Sequence, residues 1–313
     1  MMKKVFITGR TGLVGSALIR AYESDSSVVV ISTTSSDLDL LDSRAVDMFV
    51  ARERPDVVLM AAARVGGIKA NMDAPATFMV DNALMQTNLM AAANKSSVQR
   101  LVFLSSACVY PAAAAFPLKE SDLFSGDMEP TTKPYAVAKL LGMEMIKAYA
   151  AQEKRDWVSV IPSNIYGPGD NFAEHSSHVM ASLMLKFYLA IQNGQSSVEV
   201  WGTGKAMREF THVDDLARGI KLVEDNYHSP DSMNIASGQE ISIAELAEMI
   251  LMTSGFKGRL LFNSAKPDGA PRKLQDSSQI KNLGWSPKIN LAEGIASTYS
   301  WLEKNLPLGK VRV

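Results

Sequence analysis

Short apolar runs alternate with helical patterns through the first half of the chain. Val5-Phe6-Ile7-Thr8 predicts a buried strand, and residues 13–22 predict a helix. Val28-Val29-Val30-Ile31, rich in β-branched side chains, predicts a second strand. Asp42 or Ser43 caps a helix running to about Glu53. Further short strands are expected at 57–60, 101–104 and 158–161. Helical patterns over about 75–95 and 132–154 precede the last two. Short strands separated by helices predict βαβ units, and therefore an α/β fold with a parallel, doubly wound sheet.

Beyond Pro162 the pattern changes. Gly and Pro punctuate SNIYGPGDNF, followed by a helix at 179–192, a strand at 198–201 and the segment REFTHVDDLARGI. The C-terminal stretch mixes a helix at 242–253 with loops such as KPDGAPRK. The expected organisation is a dinucleotide-binding domain at 1–165 plus about 211–238, and a smaller substrate lobe from 166–210 and 239–313. No internal repeat is present. The Ala112–115 run predicts a loop or a helical turn.

Composition narrows the class without changing this picture. The 313 residues are 47% hydrophobic and 21% charged, which excludes disordered and collagen-like chains. The net charge of −1 offers no basic field to recruit nucleic acid or acidic lipid. One cysteine forms no internal disulfide, as expected in a reducing compartment. No apolar run approaches the ~18 residues of a membrane span. The start, MMKKVFITG, lacks the features of a signal peptide. The expectation is a soluble cytoplasmic protein.

Candidate chemistry begins at Gly9-Arg10-Thr11-Gly12-Leu13-Val14-Gly15, a GxxGxxG turn between the first strand and the first helix. Glycine permits the tight turn, lets the backbone approach a pyrophosphate, and lets the helix sit close on the strand. The helix N-terminus offers free N–H groups to phosphate. This predicts a Rossmann-type dinucleotide site. The second strand ends Ile31-Ser32-Thr33-Thr34-Ser35-Ser36, with no acid at its tip, and Asp37 comes later. An acid there selects a free ribose 2′-OH; hydroxyls and Arg10 suit a 2′-phosphate instead. NADP is therefore the expected cofactor, although no Arg or Lys follows the strand.

Tyr135-Ala136-Val137-Ala138-Lys139 is YxxxK within a helical pattern, so both side chains share a face. An ammonium near a phenol lowers the phenol pKa and suits it to proton exchange with a carbonyl or alcohol. Ser105-Ser106 follows the fourth strand, at the sheet end that faces the ligand crevice. Ser106 is placed to hydrogen-bond a substrate carbonyl.

The Gly-rich turn, the strand-end Ser and YxxxK resemble the extended short-chain dehydrogenase/reductases. Their Ser–Tyr–Lys triad maps onto Ser106, Tyr135 and Lys139. PSNIYGPGDNF and REFTHVDDLA are similar to the nucleotide-sugar-modifying branch. With SACVYP, EPTTKPYAVAK, SSHV, WGTGKAMREFTHVDD and KPDGAPRK, the chain from about residue 3 to 305 resembles the GDP-L-fucose synthase family. These are GDP-4-keto-6-deoxymannose 3,5-epimerase/4-reductases. The resemblance implies that Cys108 and His178 serve as base and acid in epimerisation. It adds Ser35, Leu40, Leu104, Ser105, Pro162, Asn164, Ile165, Lys139 and His178 to the cofactor site. It assigns Lys186, Trp201, Arg208, Lys266, Asp268 and Arg272 to the GDP-sugar; no metal is implied. Ala107 and Ser35 depart from the family pattern, which has a small polar residue and a basic one.

A ketone at C4 acidifies the hydrogens on C3 and C5, so one base and one acid on opposite ring faces invert both centres. The resemblance then implies hydride transfer from NADPH to C4, with Tyr135 donating a proton. An NAD-dependent nucleotide-sugar 4-epimerase, or another 4-ketoreductase, would need neither Cys108 nor His178 and stays open as an alternative. A non-catalytic NADP-binding sensor would tolerate loss of Tyr135 and Lys139, yet both are present. Met79, Leu84, Met85 and Leu89 on one long helix, with Leu140, Met143, Ile146 and Ala150 on the other, are read either as core or as a four-helix homodimer interface.

Overall fold

The computed structural model describes residues 2–173, 176–266 and 268–313. The first half runs β1 (Lys3–Ile7), α1 (Leu13–Glu23), β2 (Val28–Ser32), α2 (Ser43–Glu53), β3 (Val57–Met60), α3 (Ile68–Asp73), α4 (Pro75–Lys95), β4 (Arg100–Leu104), α5 (Lys133–Glu153) and β5 (Asp156–Pro162). Then come β6 (Asn164–Tyr166), α6 (Val179–Gln192), β7 (Ser197–Trp201), β8 (Met207–His212), α7 (Val213–Asn226) and β9 (Met233–Ile235). The chain closes with β10 (Glu240–Ser242), α8 (Ile243–Ser254), β11 (Arg259–Asn263), α9 (Ser278–Asn282) and α10 (Leu291–Asn305).

A six-stranded parallel sheet ordered β2-β1-β3-β4-β5-β9 forms the centre. This is the doubly wound α/β fold the alternation predicts. The order reverses at β1, so the loops after β1 and β3 diverge and open a crevice at the carboxyl ends of the strands. One face of the sheet is covered by α1 and α7, the other by α2, α4 and α5. Asp42 is the cap of α2, accepting from the amides of Arg44 and Ala45 at 2.9 and 3.0 Å.

Gly142 sets how α5 lies on the sheet. A Cβ there would stand 2.4 Å from the Phe103 ring, so only glycine allows this approach to β4. The first turns of α5, which carry the YxxxK pair, are thereby held over the end of β4.

The smaller lobe holds the three-stranded sheet β10-β8-β6 and the parallel pair β11-β7. Its own core joins α6, α8 and α10, with Phe187, Leu246, Ile250 and Leu302 fully buried. Helix α10 and the short β6, β8, β10 and β11 were not expected from the sequence. Buried carboxylates tie the lobe to the large sheet. Asp215 accepts from the amides of Lys288 and Ile289 at 3.0 and 2.9 Å. Glu209 accepts from the amides of Gly238 and Gln275, and burial pushes its pKa up to about 7. Among the described residues, no helix is long and apolar enough to cross a membrane.

Candidate active site

The turn after β1 has the geometry of a phosphate cradle. Gly9 sits at φ 76°, and a Cβ on it would meet the Ala62 backbone at 3.0 Å. A Cβ on Gly15 would stand 2.0 Å from the Gly9 carbonyl oxygen, so this glycine lets α1 start against the loop. Gly12 caps α1 with extended backbone and no side chain to close the helix end. The first amides of α1, from Leu13 onward, have no intrahelical acceptor. A cavity of about 360 Å³ lies beside Thr11 and Ser16, against Pro168 and Gly169. These features fit a dinucleotide pyrophosphate.

The loop after β2 holds a carboxylate that the linear reading set aside. Asp37 turns back on Thr34, accepting from its amide at 2.8 Å and its hydroxyl at 2.7 Å. Those bonds, helped by the charge of Arg10, hold Asp37 below the usual carboxylate range. An acid and Arg10 therefore share the edge where an adenosine ribose would lie. Ser35 is exposed on the same loop, while Leu40 is buried in the core beneath it.

Ser106, Cys108, Tyr135 and Lys139 meet at the end of β4. Ser106 caps a short 3-10 turn, with its hydroxyl accepting from the Cys108 amide at 3.4 Å. Cys108 is half-buried. Tyr135 is buried, its ring edge-on to Phe78 at 6.4 Å. Burial pushes the Tyr135 phenol up, the neighbouring Cys108 adds to this, and a hydrogen bond with Ser106 opposes it. The phenol is thus a held proton. Lys139 donates to the Leu104 carbonyl at 2.8 Å, with its ammonium 5.9 Å from the Tyr135 ring centre. The expectation that Lys139 lowers the phenol pKa is not met: burial pushes the phenol up, and the hydrogen bond with Ser106 is what opposes it. Ser105 is buried and donates to the Met143 sulfur at 3.0 Å. Pro162 closes β5; Asn164 donates to the Glu209 carbonyl at 2.8 Å, and Ile165 packs on the sheet core.

Lys139 itself is strained. Burial alone drops its pKa from 10.5 to about 7. At ~1.4 kcal/mol per unit, this costs folding on the order of 5 kcal/mol in neutral solution. The unfolded chain binds the extra proton between pH 7 and 10.5, so stability from this group rises with pH across that window. We expect Lys139→Met to raise the unfolding midpoint of the cofactor-free protein by several degrees at pH 7. The gain should shrink toward pH 10, even after ~1 kcal/mol is lost at the Leu104 carbonyl. Equal midpoints at pH 7 would contradict this account.

His178 is the N-cap of α6, and the residue is exposed to solvent. Desolvation pushes its pKa below the ordinary 6.5, and the charge of Lys273 pushes it the same way. The imidazole is therefore neutral until an anion arrives, and it is no cation for Cys108 beforehand. The β3–α3 loop brings this segment to the sheet: the Gly67 amide donates to the Ser176 carbonyl at 3.0 Å. A Cβ on Gly66 would press on Phe78, the ring that meets Tyr135. Direct neighbours thus run from Cys108 through Tyr135 and Phe78 to the segment before His178. Lys273 went unnamed in the sequence reading; it lies one residue past Arg272, in the same KPDGAPRK string.

The residues matched to the GDP-sugar divide in two. Arg208 is half-buried, its pKa lowered by burial, donating to the carbonyls of Met207 at 2.8 Å and Asp268 at 3.4 Å. Asp268 accepts from the Thr203 amide and hydroxyl at 2.7 and 2.9 Å, which closes its loop onto the β7–β8 turn. Trp201 is exposed, with the ammonium groups of Lys186 and Lys266 at 5.3 and 5.2 Å from its ring. Arg272 instead makes a two-pronged pair with Glu240, at 2.8 and 2.6 Å.

Fold and glycine-rich turn together define a dinucleotide-binding enzyme of the doubly wound α/β class. The chain belongs to the NAD dependent epimerase/dehydratase family, whose model matches residues 5–236. It is 46% identical to the probable GDP-L-fucose synthase 1 of Oryza sativa subsp. japonica, over 97% of this chain and 93% of that one. It is 43% identical to the GDP-L-fucose synthase of Escherichia coli K12, over 97% of each. A GDP-L-fucose synthetase from Naegleria fowleri bound to NADP superposes with a TM-score of 0.92 at 29% identity, covering 99% of this chain and 95% of that one.

Proposed function

We propose that this chain converts GDP-4-keto-6-deoxy-D-mannose to GDP-L-fucose, by C3 and C5 epimerisation followed by reduction at C4. The observation that carries the reading is the gathering of the chain's one thiol, Ser106 and the protonated Tyr135 at the end of β4. The names of its relatives point the same way.

The Gly9–Gly15 turn would hold NADPH, which when bound would supply the hydride for C4. The residues do the rest. Cys108, as thiolate, takes the proton from C3 or C5. Ser106 and Tyr135 hydrogen-bond the C4 oxygen where negative charge develops. His178 gives a proton to the opposite ring face, and between the two inversions Cys108 loses its proton to solvent and His178 takes one up. Local desolvation and the charge of Lys273 push its pKa below the ordinary value in the free protein; the substrate diphosphate is the anion that favours its charged form. After the second inversion Tyr135 donates its proton to O4 as the alcohol forms. Lys139 sits behind the phenol to meet the ribose hydroxyls.

The deciding experiment incubates the protein with GDP-4-keto-6-deoxymannose and NADPH in deuterated water. NADPH absorbance should fall, and the product should be GDP-L-fucose carrying deuterium at C3 and C5. Reduction without deuterium would leave a plain 4-ketoreductase. A 4-epimerase would leave the NADPH unconsumed with this ketone and would instead interconvert a GDP-hexose and its C4 epimer in the presence of NAD, with no net cofactor turnover.

Asp37 carries a prediction of its own. Its negative charge shares the ribose edge with Arg10 and opposes a 2′-phosphate. Asp37→Asn should tighten NADP binding about 3- to 10-fold, in keeping with one weak charge interaction near the surface, and leave NAD nearly unchanged. Equilibrium titration of both cofactors checks this, and an unchanged ratio would sink it.

We also propose a homodimer through α4 and α5. Half of the apolar stripe is core: Leu89, Leu140, Met143 and Ile146 are buried. Met79, Val80 and Leu84 on α4, and Leu141 on α5, face outward. Light scattering at micromolar concentration should give twice the 34.0 kDa chain mass; a monomeric mass refutes it.

A further inference from the structure

The edge of the smaller lobe carries a polar arrangement that the epimerase-reductase chemistry does not use. In β7, Val198 and Val200 are buried against the lobe core, so Glu199 and Trp201 share the outward face. The parallel register sets Leu261 beside Glu199 and Asn263 beside Trp201. One oxygen of Glu199 accepts the Trp201 indole N–H at 3.1 Å; the other accepts the Asn263 amide at 2.7 Å. Lys186 donates to the Glu199 carbonyl at 3.0 Å. An indole that is 52% exposed, flanked by two ammonium groups and a fixed carboxylate, is an aromatic platform with a charged reading edge.

The geometry points to Glu199 as the residue that selects the nucleobase of the substrate, reading guanine on the Trp201 platform. The inference rests on the GDP-sugar assignment above and deepens it. Guanine presents N1–H and the exocyclic N2 amine side by side, a donor pair matched to one carboxylate. Adenine presents an acceptor at N1 beside a donor, so the same carboxylate meets a lone pair. Uracil offers a single N–H and a smaller ring to stack. Each carboxylate oxygen keeps a lone pair beyond the bond it already accepts. The indole and amide donors fix the carboxylate before ligand arrives, so little ordering is lost on binding. The ammonium groups of Lys186 and Lys266 complement the guanine O6 and the diphosphate. The Asn263 bond also holds Glu199 below the usual carboxylate range, so it is ionised at neutral pH.

A carboxylate that only orients Trp201 would, when changed, weaken every nucleotide alike. A carboxylate that reads the base would change their ratio. The experiment is therefore calorimetric titration of the full chain and its E199Q variant with GDP, IDP and ADP, and with NADP as a fold control. Wild type should prefer GDP over ADP by about 10- to 100-fold, with IDP, which lacks the N2 amine, between them. E199Q should lose most of that preference, keep its ADP affinity and bind NADP as wild type does. Trp201→Leu should weaken all three diphosphates in parallel. Unchanged GDP-to-ADP selectivity in E199Q overturns the inference while leaving the proposed reaction intact. Absence of GDP binding to wild type would instead strike at the GDP-sugar assignment itself. Should E199Q lose NADP binding too, Glu199→Asp is titrated in its place. That shorter carboxylate keeps the charge but withdraws it from the base, so selectivity should again fall, and retained selectivity counts against the inference.

Discussion

Cys108→Ser should abolish incorporation of solvent deuterium at C3 and C5 of the keto-sugar, with a fall of at least ~10³-fold in the exchange rate. A serine hydroxyl does not ionise near neutral pH, so the site loses its base while keeping nearly the same shape. The side chain is half-buried at a 3-10 turn rather than in the core, so the fold should persist. NADPH oxidation should continue at a reduced rate and yield the un-epimerised alcohol. Exchange at the wild-type rate would remove the thiol from the mechanism and reduce the proposal to ketone reduction.

Tyr135→Phe should show the complementary pattern. The phenol is buried, protonated and hydrogen-bonded to Ser106. Removing its hydroxyl takes away the proton donor for O4 but preserves the ring that packs edge-on against Phe78. Single-turnover hydride transfer should fall ~10²- to 10⁴-fold. Deuterium exchange should fall far less, because Ser106 still donates to the enolate oxygen. Equal losses in both steps would mean that Tyr135 acts on epimerisation as much as on reduction. The two variants together split one site into its two reactions, which neither does alone.

Much of the fold was legible in the sequence because local pattern and burial agree in a parallel sheet. Strands covered on both faces must be apolar throughout, and β3 and β4 are buried at every position. The long helices α4 and α5 matched the expected ranges almost to the residue. Legibility fell in the smaller lobe. Its strands β6 and β10 are three residues long and held by tertiary pairing with β8, so periodicity has nothing to register. Helix α10 is capped by Asn290, whose side chain accepts from the Glu293 amide at 2.9 Å. That cap is readable in principle, but it was masked by the loop-rich segment before it.

The site divides in a similar way. YxxxK and the glycine turn are local motifs, and their spacing announces their chemistry. Asp37 reads as a residue beyond the strand end, yet reciprocal hydrogen bonds with Thr34 fold it back toward Arg10. Arg272 and Lys273 are adjacent basic residues. Only the structure shows that the first is held by Glu240 while the second lies near His178.

By itself the sequence determined most elements of the large parallel sheet and its helices and where the glycine-rich turn lies, and it named the side chains proposed for proton chemistry. These depend on the identities of near neighbours along the chain. The tertiary structure decided how those groups titrate: a phenol raised, a lysine lowered to about 7, and an imidazole pushed below its ordinary value. Desolvation is a property of what surrounds a group in space, and those surroundings come from segments far apart in the chain.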